Sequence, residues 1–352
     1  MITGTEKSEF VQSQGELGFL TIEEWQGYVD RHANGSVFHH RNWIELLAEQ
    51  YGFKIEIPAL MGNGKIMAAI PLLQTRSLRG AKKLISLPFS DYLQILADNH
   101  ESKMILCNRI QDRYEGMFDA IIVRADEPVT GMAHESLSVR HELDTTKSMA
   151  EIESRFASTI RRNLNKGRRH QLEFHKRNDA AAVDAFYKMH VLTRKKLGVP
   201  VQSRGFFQKL NETLIQRGLG FIGIVSKQNA PIAGGVMLGF NGRFIYKYAA
   251  SDPAALEHRP NDWLVYNAIR TAAEEGYHVF DFGISDKSQD GLRRFKSKWG
   301  AVESDVFYNY LLGEPEPDTG PSRAMTLAAE IIKRSPTFVC RTLGRVFYKY
   351  SQ

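Results

Sequence analysis

"FIGIVSKQNAPIAGGVMLGFNGRFIYKYAAS", Phe221–Ser251, is the stretch whose reading decides the fold. It holds three runs rich in β-branched and aromatic residues, and Asn241–Gly242 between the second and third is a strong signal for a two-residue hairpin turn. An antiparallel meander is predicted. Next comes "WLVYNAIRTAAEE", in which Leu264, Val265, Ala268, Ile269 and Ala272 share one helical face, with Asn261 or Asp262 available as a cap and Gly276 placed to end the helix. The strand "YHVFDFG" follows at once. Antiparallel strands, a helix and a further strand make an α/β order around a mixed sheet.

Working upstream, "KIEIPALM" and "KIMAAIPLLQ" flank a Gly62–Asn63–Gly64 turn and read as another hairpin. It aligns with the meander at Asn63 with Asn229, Ile66 with Ile232, Ala68 with Gly234, Ala69 with Gly235 and Ile70 with Val236. Such a match fits an internal duplication, and it can also arise between two unrelated hairpins. Helices are predicted over 22–33 and 40–52. At 352 residues the chain exceeds one ordinary core, so two domains are expected. We place them at 15–147 and 148–312, followed by the linker "GEPEPDTGPS" and a basic amphipathic tail within 313–352.

The composition, 43% hydrophobic and 24% charged, is that of a folded chain and excludes a disordered one. Cys107 and Cys340 are the only cysteines, which suggests neither a disulfide framework nor a zinc site. The eleven histidines show no metal spacing. With no apolar run long enough to span a bilayer and a charged N-terminus, the chain reads as cytoplasmic. The net charge of +6 is concentrated. Arg161, Arg162, Lys166, Arg168, Arg169, Lys176 and Arg177 crowd the junction between the expected domains, either as a solvated helix face or as a polyanion site for a phosphate-bearing cofactor, lipid headgroup or RNA. The tail "RAMTLAAEIIKRSPTFVCRTLGRVFYKYSQ" alternates apolar and basic residues, as a helix lying in a membrane interface does. Docking on the parent domain or a second subunit is the other reading.

"HRPN" at His258–Asn261 followed by "DFG" at Asp281–Gly283 imitates protein-kinase signatures. Pro260 stands where the kinase base belongs, and no glycine-rich loop precedes it. The order of the second half suits the GNAT N-acyltransferase superfamily better. There the donor pyrophosphate sits on the amides of a glycine-containing loop at a helix N-terminus. The corresponding connection, "SDPAALEHRPND", holds His258 and Arg259 but no glycine, which puts ordinary acetyl-CoA binding in doubt.

The run "HVFDFGISDKSQDGLRRFKSKWGA", with "RKKLGVPVQSRGFFQKL" before it and "LISLPFSDY" far upstream, resembles the FemAB-like branch of that superfamily, closest to its exopolysaccharide and exosortase-type members. The resemblance extends from about His39 to Leu311, and "AAEIIKRSPTFVCRTLG" looks like the terminal segment of that group. It implies tandem GNAT-like domains, each a mixed, mostly antiparallel sheet flanked by helices. Relatives transfer amino acids from aminoacyl-tRNA to the amine of a peptidoglycan precursor. The coiled-coil insertion of some of them is absent here.

Acyl transfer to an amine needs the amine deprotonated, the carbonyl polarised and a proton delivered to the leaving group. Lys296 matches the lysine of the family's FK element and is expected to stabilise an oxyanion or grip a phosphate; a surface lysine is the plainer reading. Asp281 alternates with Phe280 and Phe282, so its carboxylate faces away from the aromatic pair, to orient Lys296 or an amine, or to form an ion pair or cap. Asp91, in a loop matching one near the family's cleft, is a candidate base or a turn residue. Tyr246 and Tyr248 share a face with Phe244 by strand alternation. Arg161, Arg162, Lys166, Arg194, Arg259 and Trp299 complete the substrate-binding candidates. Together these predict an acyl- or aminoacyltransferase acting on an amine of a cell-envelope glycan or lipid-linked precursor, with acyl-CoA or aminoacyl-tRNA as donor and no metal. The alternative is a non-enzymatic module that binds an anionic membrane or polymer. Contact with tRNA and with the inner membrane surface are further expectations.

Overall fold

A computed structural model describes residues 15–77, 80–315 and 323–337. The N-terminal residues, most of the linker and the end of the tail lie outside these. The described chain forms two compact units, one from residues up to Ser138 and again from Asp305, the other from Val139–Ser304 with the described part of the tail.

In chain order the first unit contains β1 (Glu16–Phe19), α1 (Ile22–Val29), α2 (Arg41–Tyr51), β2 (Lys54–Glu56), β3 (Pro58–Gly62), β4 (Lys65–Ala69), β5 (Leu72–Arg76), β6 (Lys82–Ile85), β7 (Leu96–Ala97), α3 (His100–Tyr114) and β8 (Ala120–Ala125). The strand β9 (Ala133–Asp144) follows and runs across the unit boundary. The predicted hairpin is present, but it is broken twice. Lys54 to Glu56 pairs with Leu72 to Gln74, and Ala59 to Gly62 pairs with Lys65 to Ala69, in different sheets. The breaks fall at Pro58 and Pro71, whose nitrogens have no hydrogen to give a ladder. At the turn, Asn63 and Gly64 both take positive φ, as the tight hairpin turn requires. Past the break, β6 pairs antiparallel with β5 and parallel with β8, and α3 makes the crossover.

The second unit contains α4 (Met149–Ser154), α5 (Ser158–Arg169), β10 (Glu173–Arg177), α6 (Ala180–Leu197), α7 (Arg204–Thr213), β11 (Gly220–Lys227), β12 (Ala230–Phe240), β13 (Arg243–Ser251), α8 (Pro260–Glu274), β14 (Val279–Asp286) and α9 (Asp290–Ser297). The strand β15 (Val302–Leu312) then runs across the boundary, and α10 (Arg323–Arg334) lies in the tail. The sheet order is β10-β11-β12-β13-β14-β9. As in the first unit, a meander leads through a crossover helix, here α8, to a strand parallel with the last of the meander. This is an α/β fold of mostly antiparallel sheets flanked by helices.

Two expectations need correction. The basic junction is not one helix: α5 ends at Arg169, Gln171 takes φ 51°, and the chain continues as edge strand β10. Ile160 and Leu164 hold α5 on the core while its cations face out. The cap of α8 is Arg259 in the left-handed region, with Pro260 opening the helix, so Asp262 falls in the first turn and is buried.

His190 on α6 is buried, stacked on Phe186 and bounded by Phe207 and Tyr248, with Nε2 3.1 Å from Gln202 Oε1. Burial pushes its pKa down to about 4. The unfolded imidazole takes a proton below its ordinary 6.5 and the folded one resists until about 4, so stability falls as pH drops through that window. Denaturant titrations at pH 7 and 5 should show a loss of about 2 kcal/mol from this group. In His190→Gln that part of the difference should vanish; an unchanged loss would show that His190 titrates normally.

Candidate active site

The strands β13 and β14 run parallel but are bonded only from Arg243 to Ile245 against Val279 to Asp281. Beyond these residues both continue, to Ser251 and Asp286, without pairing to each other. The cause lies on the other side of β13. Its register with β12 jumps from Met237 opposite Tyr246 to Val236 opposite Tyr248, which leaves Lys247 as an extra residue. A bulge of this kind bends its strand and increases its twist, and here β13 parts from β14. Strand edges left without each other in this way can bond to an extended ligand.

The same bulge corrects the sequence reading of the tyrosines. Tyr246 stays on the Phe244 side, stacked with Phe280. Tyr248 packs instead among His190, Phe206 and Phe207 on α6 and α7.

Across the opening, β14 is kinked. Gly283 takes φ 71°, which a residue with a Cβ adopts at a cost. Asp281, with no solvent exposure, accepts the Gly283 N–H through Oδ1 at 2.7 Å. Its Oδ2 lies 3.8 Å from the Arg243 guanidinium, which also pairs with Glu142. Lys296 reaches the same turn from α9. Its buried ammonium donates to the carbonyls of Gly283 at 2.7 Å and Ile284 at 3.0 Å. Carboxylate and lysine are therefore joined through one glycine, with Asp281 on its amide and Lys296 on its carbonyl. Behind Lys296 lies buried His141, whose Nε2 is 3.0 Å from Glu303, and Arg293 holds Glu303 through two nitrogens. Burial first, and the Lys296 charge next, lower the His141 pKa, so a neutral imidazole backs the ammonium.

The N-terminal end of α8 supplies the other groups. Asp262 accepts from Asn163 Nδ2 at 3.1 Å, and burial raises its pKa against the opposing pull of Arg259, Asn163 and Lys298. Tyr246 feels that carboxylate, and its own pKa is raised, chiefly by burial. Nearby the His170 ring meets His258 at 4.6 Å, and Lys227 Nζ stands 3.0 Å from His258 Nε2. The pKa of His170 is lowered by loss of hydration and then by His258, Lys227 and Lys166. The positive charges of Lys227 and Lys166 beside these rings favour an anionic occupant.

The remaining sequence candidates are scattered. Trp299 is fully buried against Phe156 in the core. Arg194 donates to the Pro200 carbonyl, and Arg161 to that of Phe156. Arg162 and Arg259 are exposed, and Lys166 is half-buried. Asp91 belongs to the first unit, in the loop after β6 where Leu87 and Phe89 both take positive φ. Sequence reasoning passed over His141, Glu303, Arg243 and Asn163. None lies in a motif, and only pairing across the sheet or between helices brings them in. For Asp262 the signal was present and was read as a cap. Among the described residues no group of three or more His, Cys, Asp or Glu could hold a metal ion.

Residues 154–297 match the family described as "Acetyltransferase (GNAT) domain". The Lipid II:glycine glycyltransferase of Staphylococcus aureus is 28% identical over 92 residues, covering 24% of this chain and 22% of that protein. The chain thus spans about a fifth of the length of the curated relatives it matches. Among solved structures, FemX shares the fold with a TM-score of 0.69 at 15% identity, over 84% of this chain and 96% of that one. A tandem GNAT protein from the clavulanic acid biosynthesis pathway gives a TM-score of 0.50 at 9% identity, over 86% and 99%.

The kink is open to test. Gly283→Ala should cost about 1–2 kcal/mol from the left-handed backbone. Lys296→Met, which strips two carbonyls of their donor, should cost about 2–4 kcal/mol. Because both act on one turn, a double-mutant cycle in urea should give a coupling of at least about 0.5 kcal/mol. Strictly additive costs would mean the lysine does not hold the turn.

Proposed function

We propose that this chain, whose second unit carries a GNAT acetyltransferase domain of FemAB-like character, transfers an acyl or aminoacyl group from a phosphate-bearing donor to an amine. The observation that carries the reading is the parting of β13 from β14 beside the Lys296 turn. An acyl thioester or ester laid between the edges can bond to strand backbone, as an added strand would. Lys296, fixed by two carbonyls, supplies a positive charge that needs no rearrangement when an oxyanion develops. The cations Lys166, Lys227 and Arg259, with His170 and His258, would take the donor phosphates. Asp262, its pKa raised, is suited to take the proton that the acceptor amine loses as its C–N bond forms, and to pass that proton to the thiol or hydroxyl released when the donor's C–S or C–O bond breaks. Asp281 would act through the turn by keeping Gly283 and Lys296 in place.

The acceptor we favour is an amine of a cell-envelope glycan or lipid-linked precursor, by likeness to a relative named for lipid II and glycine. Acyl-CoA and aminoacyl-tRNA both bring the phosphates the cation cluster needs.

Transfer to an amine acceptor should be followed with each donor in turn. With the productive donor, Lys296→Ala should lower kcat by about 10²–10³ while the protein stays folded. Lys227→Ala with His258→Ala should weaken donor binding about tenfold and reduce its salt dependence. Full turnover by folded Lys296→Ala protein would refute the assignment, and binding of an anionic polymer without turnover of either donor would favour a non-enzymatic module.

A further inference from the structure

Among the described residues, four of the large apolar side chains left exposed lie on just two helices that pack together. Leu192 and Leu197 belong to α6, and Leu327 and Ile331 to α10. The helices meet at Gly198, where an added Cβ would stand 2.9 Å from the Ala329 carbonyl and from Lys333 Cε. Buried Ile332 and half-buried Ala329 mark the inner side of α10. Leu327, Ile331 and Arg334, spaced i, i+4, i+7, form a second stripe that faces away. Leu327 is 64% exposed and Leu197 60%. Among the described residues nothing covers these side chains.

Their neighbours are basic. Leu192 has Lys188 one turn before it and Lys195 and Lys196 one turn after. Lys333 and Arg334 close α10, and the one carboxylate on that helix, Glu330, pairs with Lys333. On α6, Asp184 is engaged bidentately by Arg204. No helix among the described residues is long and apolar enough to cross a membrane. Separate apolar side chains set among lysines and an arginine suit a surface that is oily below and anionic above.

We propose that the face made by α10 and the C-terminal half of α6 docks on an anionic phospholipid surface. Leu192, Leu197, Leu327 and Ile331 enter the headgroup layer, while Lys188, Lys195, Lys196 and Arg334 meet the lipid phosphates. The inference goes beyond the transfer reading and does not rest on it. If both hold, the transferase is brought to a lipid-linked acceptor.

The test is flotation of the full chain with vesicles of phosphatidylcholine alone and with about a third phosphatidylglycerol. Wild-type protein should float with the anionic vesicles, and the bound fraction should fall steeply between 0.1 and 0.5 M salt. Leu327→Glu with Ile331→Glu should lower partitioning at least tenfold, and so should Lys195→Glu with Lys196→Glu, about fivefold per lost cation. All four positions are solvent-facing or half so, and circular dichroism would confirm folding. Flotation of both double variants like the wild type, or no wild-type flotation on either vesicle, would overturn the proposal. So would a wild-type dimer in sedimentation that Leu327→Glu with Ile331→Glu dissolves, since the occupant would then be a second copy.

Discussion

The turn at Gly283 is the constraint on which the second unit depends. A lysine ammonium taken out of water needs acceptors, and the carbonyls of Gly283 and Ile284 supply them only because the backbone there is left-handed. Asp281 holds that backbone by its amide, and Arg243 stands beside the carboxylate. Each group would be costly to bury alone. Together they set a fixed positive centre within β14, next to the place where β13 parts from it. The hydrogen bonds that stabilise the turn are thus the ones that aim the charge.

A bulge and two prolines shape the rest. Lys247 makes β13 depart from β14 and carries Tyr248 to the other face of the sheet. Pro58 and Pro71 divide the first unit's hairpin between two sheets, where its counterpart β11–β12 stays whole. Behind these differences each unit keeps a meander, a crossover helix and one parallel pair. The family match within 154–297 and the TM-score of 0.69 to FemX agree with that architecture.

Much of this was legible in the residues. Asn-Gly turns, alternation and the apolar face of α8 identify the meander, the helix and the strand that follows, and these local signals carry their own geometry. The Asp281 and Lys296 pairing was visible as a motif, though its linkage through Gly283 was not, because alternation alone cannot reveal a left-handed residue inside a strand. The parity argument placed Tyr246 and missed Tyr248 for a single reason: an inserted residue on one strand has no mark in sequence. Asp262 was read as a cap because Asp commonly is one, and only the packing of Asn163 and Tyr246 around it reveals a buried carboxylate.

The order in which the first unit's parts are made has a kinetic consequence. Its strand β8 pairs with Phe307 to Leu312 of β15, and Val129 bonds to Asn309, 180 positions downstream. A ribosome adding about 5–20 residues per second needs roughly 10–35 s to supply that partner. During this interval Ile121 and Val123 lie on an unmatched edge while residues Val139–Ser304 of the second unit are being translated. The newborn chain must therefore tolerate a half-built sheet, or be shielded by chaperones, until Phe307 to Leu312 emerge.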